Sequence, residues 1–280
     1  MTSELDDLRL HAARARRNVL RMLVANPSGH LGGSMSAIDM ITAIYFHAMR
    51  PADGVDDPGR DRFLLSAGHK AMGQYAVLAE RGIIDASVLD QYGALSSPVP
   101  GHPTMSLLQG IEANTGALGH GLPIACGMAL GLRHEHPDAR IFVMMGDGEL
   151  PEGSNWEGAA IAAHHKLDNI IVFVDLNGMQ ISGTTAEVMD MASVVEKFRA
   201  FGWSASEIDG HDMAEITAAL DSAPTQPGKP TVFVARTTKG KGVSSIQGTV
   251  PSHYWKPKAD ELAEAVTESD ALVASLEGAR

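Results

Sequence analysis

Three features of the chain predict an α/β fold, with a mostly parallel sheet flanked by helices on both faces. Apolar β-runs recur at Ile141–Met145, Ile170–Leu176 and Thr231–Thr237. Helix-length stretches separate them, the alternation that favours parallel strands joined by crossovers. Small polar groups follow directly on two of the runs, as Gly146-Asp147-Gly148 and Asn177-Gly178. In an open parallel sheet, ligands collect at the carboxyl ends of the strands.

The elements follow in order. Residues 4–25 form a basic amphipathic helix that Asn26-Pro27 ends. The Gly-rich loop Ser28-Gly29-His30-Leu31-Gly32-Gly33 leads into a helix from Ser34 to about Met49, with Ser34 as its N-cap. Arg62–Ser66 is a short strand, and Gly68-His69 opens the next helix. Residues 93–121 carry Pro98, Pro100, Pro103 and repeated glycines, and read as loop. A helix over 122–134 precedes the strand at 141–145, and a helix over 152–166 joins it to the strand at 170–176. Helices over 189–201 and 212–220, a strand over 231–237 and a closing helix over 258–276 complete the chain. The last helix carries Glu261, Glu264, Glu268, Asp270 and Glu277, and is expected to be a solvated face capping the sheet. No repeat, low-complexity tract or linker interrupts the pattern, so residues 1–280 are expected to form one domain.

Composition narrows the function. A net charge of −12 argues against a nucleic-acid or anionic-membrane partner. Cys126 is the one cysteine, so no internal disulfide forms and a reducing compartment is the simple reading. It sits in the apolar run LPIACGMALGL and is expected to be a buried small side chain, not a nucleophile. Asp and Arg punctuate residues 4–21, which does not fit a signal peptide, and the longest apolar stretch falls short of the roughly 20 residues a membrane span needs. A soluble, cytoplasmic protein is expected.

The chemistry is concentrated in residues 146–183, GDGELPEGSNWEGAAIAAHHKLDNIIVFVDLNGMQISG. A hard divalent cation carrying a diphosphate needs one or two protein oxygens and takes the rest of its shell from phosphate and water. Asp147 offers a carboxylate at the end of one strand, and Asn177 an amide oxygen at the end of the next. The backbone carbonyl of Met179 can turn inward behind them. Neither GxGxxG after a strand nor GxxxxGK[ST] occurs, which removes most dinucleotide and P-loop readings.

Four histidines, His30, His69, His102 and His253, lie at loop and strand ends. Imidazole suits proton movement and the holding of hydroxyls near neutral pH, although a lone loop histidine is most often just solvent-exposed. His11, His47, His134, His136, His164, His165 and His211 fall on predicted helices or at their ends, and are read as surface or core-edge residues. No HExxH or CxxC-plus-His pattern points to zinc.

The 146–183 stretch resembles the thiamine-diphosphate signature, which opens on GDG and closes on an Asn; here thirty residues separate Asp147 from Asn177. The run of motifs SGHLGG, SAGH, PGHP, NTGALGHG, GDGELPEG, NGMQISG and TTKGKG, ending at His253, resembles the transketolase family. More narrowly, the chain looks like the amino-terminal half of a transketolase on its own chain, over roughly residues 8–258. The resemblance implies thiamine diphosphate and Mg2+ as cofactors, with the metal held by Asp147, Asn177 and the Met179 carbonyl. It places Gly146, Gly148 and Glu152 beside the metal and diphosphate. It gives Gly116 and Leu118 backbone contacts to the aminopyrimidine, and Ile181 apolar packing on the cofactor. His30, His69, His102, Lys239 and His253 would line the channel to the sugar. Read from the residues alone, the glycines of Asn114–Gly119 allow close backbone approach to a flat ring, with a simple helix-entry loop as the alternative, and Lys239 is either a site residue or a surface lysine after a strand. The chain departs from the family at Tyr254, where glycine usually follows the histidine, and at His120, where glutamine is common.

Transketolases of this family are more than twice as long. Their middle domain supplies a glutamate to the pyrimidine ring and arginines to the substrate phosphate, and nothing after residue 200 here looks like it. The resemblance therefore implies a diphosphate-binding subunit that works with a second chain carrying the pyrimidine-binding domain, two copies of each. Ketol transfer between sugar phosphates is the expected reaction. Another two-chain thiamine enzyme, such as a 2-oxo acid dehydrogenase or a decarboxylase-like acyl transferase, would share the GDG–Asn site but not the histidine–lysine set. A non-catalytic paralogue is the other alternative.

Overall fold

In the computed structural model, residues 3–50 and 57–279 are described. Strands β1 (Arg62–Leu65), β2 (Ile141–Gly146), β3 (Ile170–Leu176), β4 (Ser204–Asp209) and β5 (Thr231–Arg236) form one sheet in the order β1-β2-β3-β5-β4. Every pairing is parallel. The central strands are apolar on both faces because helices cover both. Phe142, Met144, Ile171, Phe173 and Phe233 point to one side, into a core with α1 (Glu4–Ala25), α2 (Leu31–Ala43), α3 (Ala71–Arg81) and α8 (Met213–Ser222). Ile141, Val143, Met145, Ile170, Val172, Val174, Val232 and Val234 point to the other, against α4 (Gly121–Leu132), α5 (Gly153–His164) and α7 (Val194–Ala200). Each such side chain contributes about 1.5–3 kcal/mol when fully buried.

The elements depart from expectation at α2, around residues 185–201, at β4 and at α9. Helix α2 begins at Leu31, three residues before the expected cap, and Ser34 Oγ donates back to the His30 carbonyl at 2.8 Å instead of capping. The first turn packs closely: a Cβ on Gly32 would lie 2.7 Å from the Ser252 carbonyl oxygen. The helix then closes on a π turn, Ile44–Ala48. The helix expected over 189–201 shortens to α7, which starts at Val194 because Ser193 caps it, accepting from the Glu196 N–H; a separate short turn, α6 (Thr185–Val188), with Thr184 boxed by Glu187, precedes the expected span. Strand β4, SASEID, escaped notice because it is a polar edge strand. Finally, α9 (Ala259–Gly278) does not cap the sheet; its Val273 packs on Leu10 and Ala13 of α1, and Glu277 accepts from Arg14 at 2.7 Å.

Cys126 is buried, as expected, with its thiol 3.4 Å from the Gly158 carbonyl. His211 does more than edge the core. Its Nε2 accepts from the Thr238 N–H at 2.8 Å, so Nδ1 carries the proton and donates to Asp39 at 2.7 Å. Arg16 pairs with the same carboxylate at 2.5 Å, tying α1, α2 and the ends of β4 and β5 together. No helix among the described residues is long and apolar enough to cross a membrane.

Candidate active site

One cavity of ≈ 380 Å³ opens beyond the carboxyl ends of the strands, within the size range of cofactor pockets. It gathers every residue singled out in the sequence: His30, His69, His102, Gly116, Leu118, Gly146, Asp147, Gly148, Glu152, Asn177, Met179, Ile181, Lys239 and His253. Parallel register explains much of this. Gly146 of β2 lies opposite Asp175 of β3, so the two strands end side by side and their following residues share one floor.

That floor is oxygen-rich. Asp147 Oδ1 accepts from the Gly148 N–H at 2.8 Å and Oδ2 from the Gly178 N–H at 2.6 Å. Asp147 is 4% exposed, and burial, reinforced by the nearby Asp175 charge, pushes its carboxyl up to about 6. Asn177 is held from both sides: Oδ1 accepts from the Met179 N–H and Nδ2 donates to Asp175, each at 3.1 Å. The Met179 carbonyl faces the same space and accepts from Lys239 Nζ at 3.0 Å.

The histidines form one wall. The ring of His30, which immediately precedes α2, lies 5.5 Å from His69, 5.7 Å from His102 and 5.4 Å from His253 between centroids. Tyr254 stands edge-on to His30 at 4.8 Å, so the departure from glycine puts an aromatic ring at the site's rim. Burial, with His102 and Lys239 nearby, lowers His30 to about 4. Burial and Lys70 lower His69 to about 2, and burial and Lys239 lower His253 to about 4. All three are neutral imidazoles at pH 7. Burial and the charge of Lys70 bring Lys239 down to about 8, and its Nζ lies 3.2 Å from His253 Nδ1.

Two of the predicted residues lie at the rim. Ile181 is 71% exposed, and Glu152 is exposed at the start of α5 with no capping bond. Four lining residues escaped the sequence reading: Gly33, Lys70, Glu149 and Gln180. Lys70 is buried and donates to Asp175 at 2.5 Å. Burial works against ionisation of Asp175, and the Lys70 ammonium outweighs it, with donations from Lys70, Ser36 and Thr237, holding the carboxyl below its usual range. No spacing rule marks such a lysine, since most lysines are solvated.

The comparison that decides the family is a model of the transketolase thiamine diphosphate-binding domain, which matches residues 11–269. The chain belongs to the transketolase family. It is 38% identical over 275 residues to one subunit of the apulose-4-phosphate transketolase of Phocaeicola vulgatus, covering 98% of each chain. It is 37% identical over 269 residues to a 6-deoxy-6-sulfo-D-fructose transketolase subunit of a Clostridium species, covering 96% of this chain and 98% of that one. The transketolase of Campylobacter jejuni superposes with a TM-score of 0.81 at 28% identity, over 99% of this chain and 48% of that one. The chain thus spans about half of that solved transketolase chain, yet nearly the full length of relatives named as subunits. The likeness to the amino-terminal half of a transketolase holds.

Proposed function

We propose that this transketolase chain is the diphosphate-binding subunit of a thiamine diphosphate- and Mg2+-dependent enzyme that transfers a two-carbon ketol unit from a ketose phosphate to an aldose. The observation that carries the reading is the meeting, in one cleft, of three metal-suited oxygens with four histidines and a lysine. Among the described residues no cluster of three His, Cys, Asp or Glu could hold a metal by itself. A carboxylate, an amide oxygen and a carbonyl make the partial hard-oxygen shell that Mg2+ takes when phosphate completes it. Asp147 also fits from its own side: it is buried with no salt bridge to any described residue, and a cation would neutralise it.

Bound thiamine diphosphate supplies the chemistry of carbon–carbon cleavage and two-carbon transfer. The chain's residues bind and orient. Asp147, Asn177 and the Met179 carbonyl hold the metal, with Gly146, Gly148 and Glu152 beside the diphosphate. Lys239 adds positive charge on that side, and Ile181 an apolar edge. Gly116 and Leu118 present backbone toward the ring. Neutral His30, His69 and His253, with His102, receive hydroxyl hydrogen bonds from the donor sugar and can take its proton. A second subunit with the pyrimidine-binding domain closes the cleft, two of each chain by two-fold symmetry. The chain works as one domain, and its free, buried Cys126 suits the reducing cytoplasm.

The assay is sugar exchange from a ketose phosphate to an aldose, with Mg2+, cofactor and a candidate partner chain carrying a pyrimidine-binding domain. Wild type is expected to exchange sugars, and His30→Ala and His253→Ala to lose about 10²–10⁴-fold in rate with cofactor affinity nearly intact. Carbon dioxide released from pyruvate without sugar exchange would contradict the reading. Cofactor affinity that collapses with unchanged sugar kinetics would move the histidines to the diphosphate side.

A further inference from the structure

Glu149 is a carboxylate that the reaction above leaves without a task. It lies in the turn after β2, is 1% exposed, and borders the floor of the cleft. Its Oε1 accepts from the Ser66 hydroxyl at 2.5 Å and from the Gly119 N–H at 2.8 Å, and its Oε2 from the Gly146 N–H at 3.3 Å. These donors come from separate segments: Ser66 follows β1, Gly119 ends the loop before α4, and Gly146 ends β2. Its own carbonyl is fixed by Asn155 of α5, whose Nδ2 donates at 2.7 Å.

The side chain suits the junction. A carboxyl group has two oxygens, with about four acceptor positions when ionised, so it can satisfy hydroxyl and amide donors from several directions; burial raises it above its usual range, and the bonds from Ser66, Gly119 and Gly146 work the other way. A buried charge is costly unless such bonds are made, so the donors and the carboxylate hold one another in place. The Gly119 backbone has little room to adapt. Its φ is +82°, and a Cβ there would lie 2.5 Å from Glu152 Cβ and 2.6 Å from Ser154 Oγ.

We infer that Glu149 is a positioning residue: it sets the spacing between the Gly116–Leu118 backbone, on the ring side of the cleft, and Gly146-Asp147, on the diphosphate side. One cofactor then meets both at once. This rests on the cofactor site proposed above.

The test uses the assembled enzyme and Glu149→Gln, which keeps the volume but replaces one acceptor oxygen by an amide donor. In the cofactor-free protein, amide hydrogen exchange over residues 111–121 is expected to quicken about tenfold or more, while the β3 and β5 peptides stay as in wild type. Calorimetric affinity for thiamine diphosphate with Mg2+ is expected to weaken about tenfold or more, the size of one lost hydrogen bond to a charged group. At saturating cofactor, KM for the donor sugar stays put. Should Glu149→Gln fail to fold, Ser66→Ala removes one donor and leaves the carboxylate, and the same two changes are expected at a few-fold size. Wild-type exchange and wild-type cofactor affinity in the folded variant would overturn the inference alone. A wild-type assembly that binds no thiamine diphosphate overturns the cofactor site, and the inference with it.

Discussion

Asp147→Ala is expected to abolish Mg2+-dependent binding of thiamine diphosphate, and with it ketol transfer. The carboxylate is the one charged oxygen among Asp147, Asn177 and the Met179 carbonyl. Outer-shell partners alone cost about 10–100-fold when lost, so the loss of a direct ligand should exceed about 100-fold. Asn177→Ala should act in the same direction. Stability should move the other way or not at all. Burial raises the Asp147 carboxyl to about 6, so its charged form is disfavoured in the folded chain, and removing it should not lower the melting temperature of the cofactor-free protein. Near-normal activity of Asp147→Ala at modest cofactor concentration would show that the metal is held elsewhere.

Lys70→Met should destabilise the fold more than a surface change. Lys70 and Asp175 are both buried and paired at 2.5 Å, and Asp175 also accepts from Ser36 at 2.6 Å and from Thr237. Removing one member of a buried pair leaves an uncompensated charge and typically costs about 3–5 kcal/mol. For a chain of this size that is a fall of roughly 10 °C in melting temperature. Lys70→Met with Asp175→Asn should recover much of the loss, because no buried charge then remains. Thermal unfolding of the single and double variants decides it; a single variant that melts within a degree or two of wild type would remove the pair from the account of stability.

The sequence made the outline of this site readable because its parts sit at strand ends, where periodicity and turn chemistry coincide. Asp147 and Asn177 were found because each follows an apolar run that could only be a buried strand. The four histidines stand out by their place at loop and strand ends, and the resemblance gives them a shared channel; one loop histidine says nothing by itself. Glu149 and Lys70 were missed for opposite reasons. Glu149 lies three residues from Glu152, and no pattern says which of two acids in GDGELPEG turns inward; the structure buries Glu149 and leaves Glu152 at the rim. Lys70 follows His69 at a helix start, where a solvated lysine is the ordinary outcome, and only the Asp175 carboxylate, distant in sequence, draws it in. The fold was legible in its central strands and not at its edges. β4 is polar because the sheet edge demands little burial, and α2 starts three residues before Ser34, whose hydroxyl donates to the His30 carbonyl instead of capping.

As proposed, this cleft is half of a thiamine diphosphate site that another subunit completes. Calorimetric titration of thiamine diphosphate tests it most directly, into this chain alone and into its mixture with the candidate partner, with Mg2+ and with a chelator. On that reading, weak binding to the chain alone, binding at least about tenfold tighter to the mixture, and loss of both with the chelator are expected. Tight binding by the chain alone, or binding indifferent to Mg2+, would contradict it.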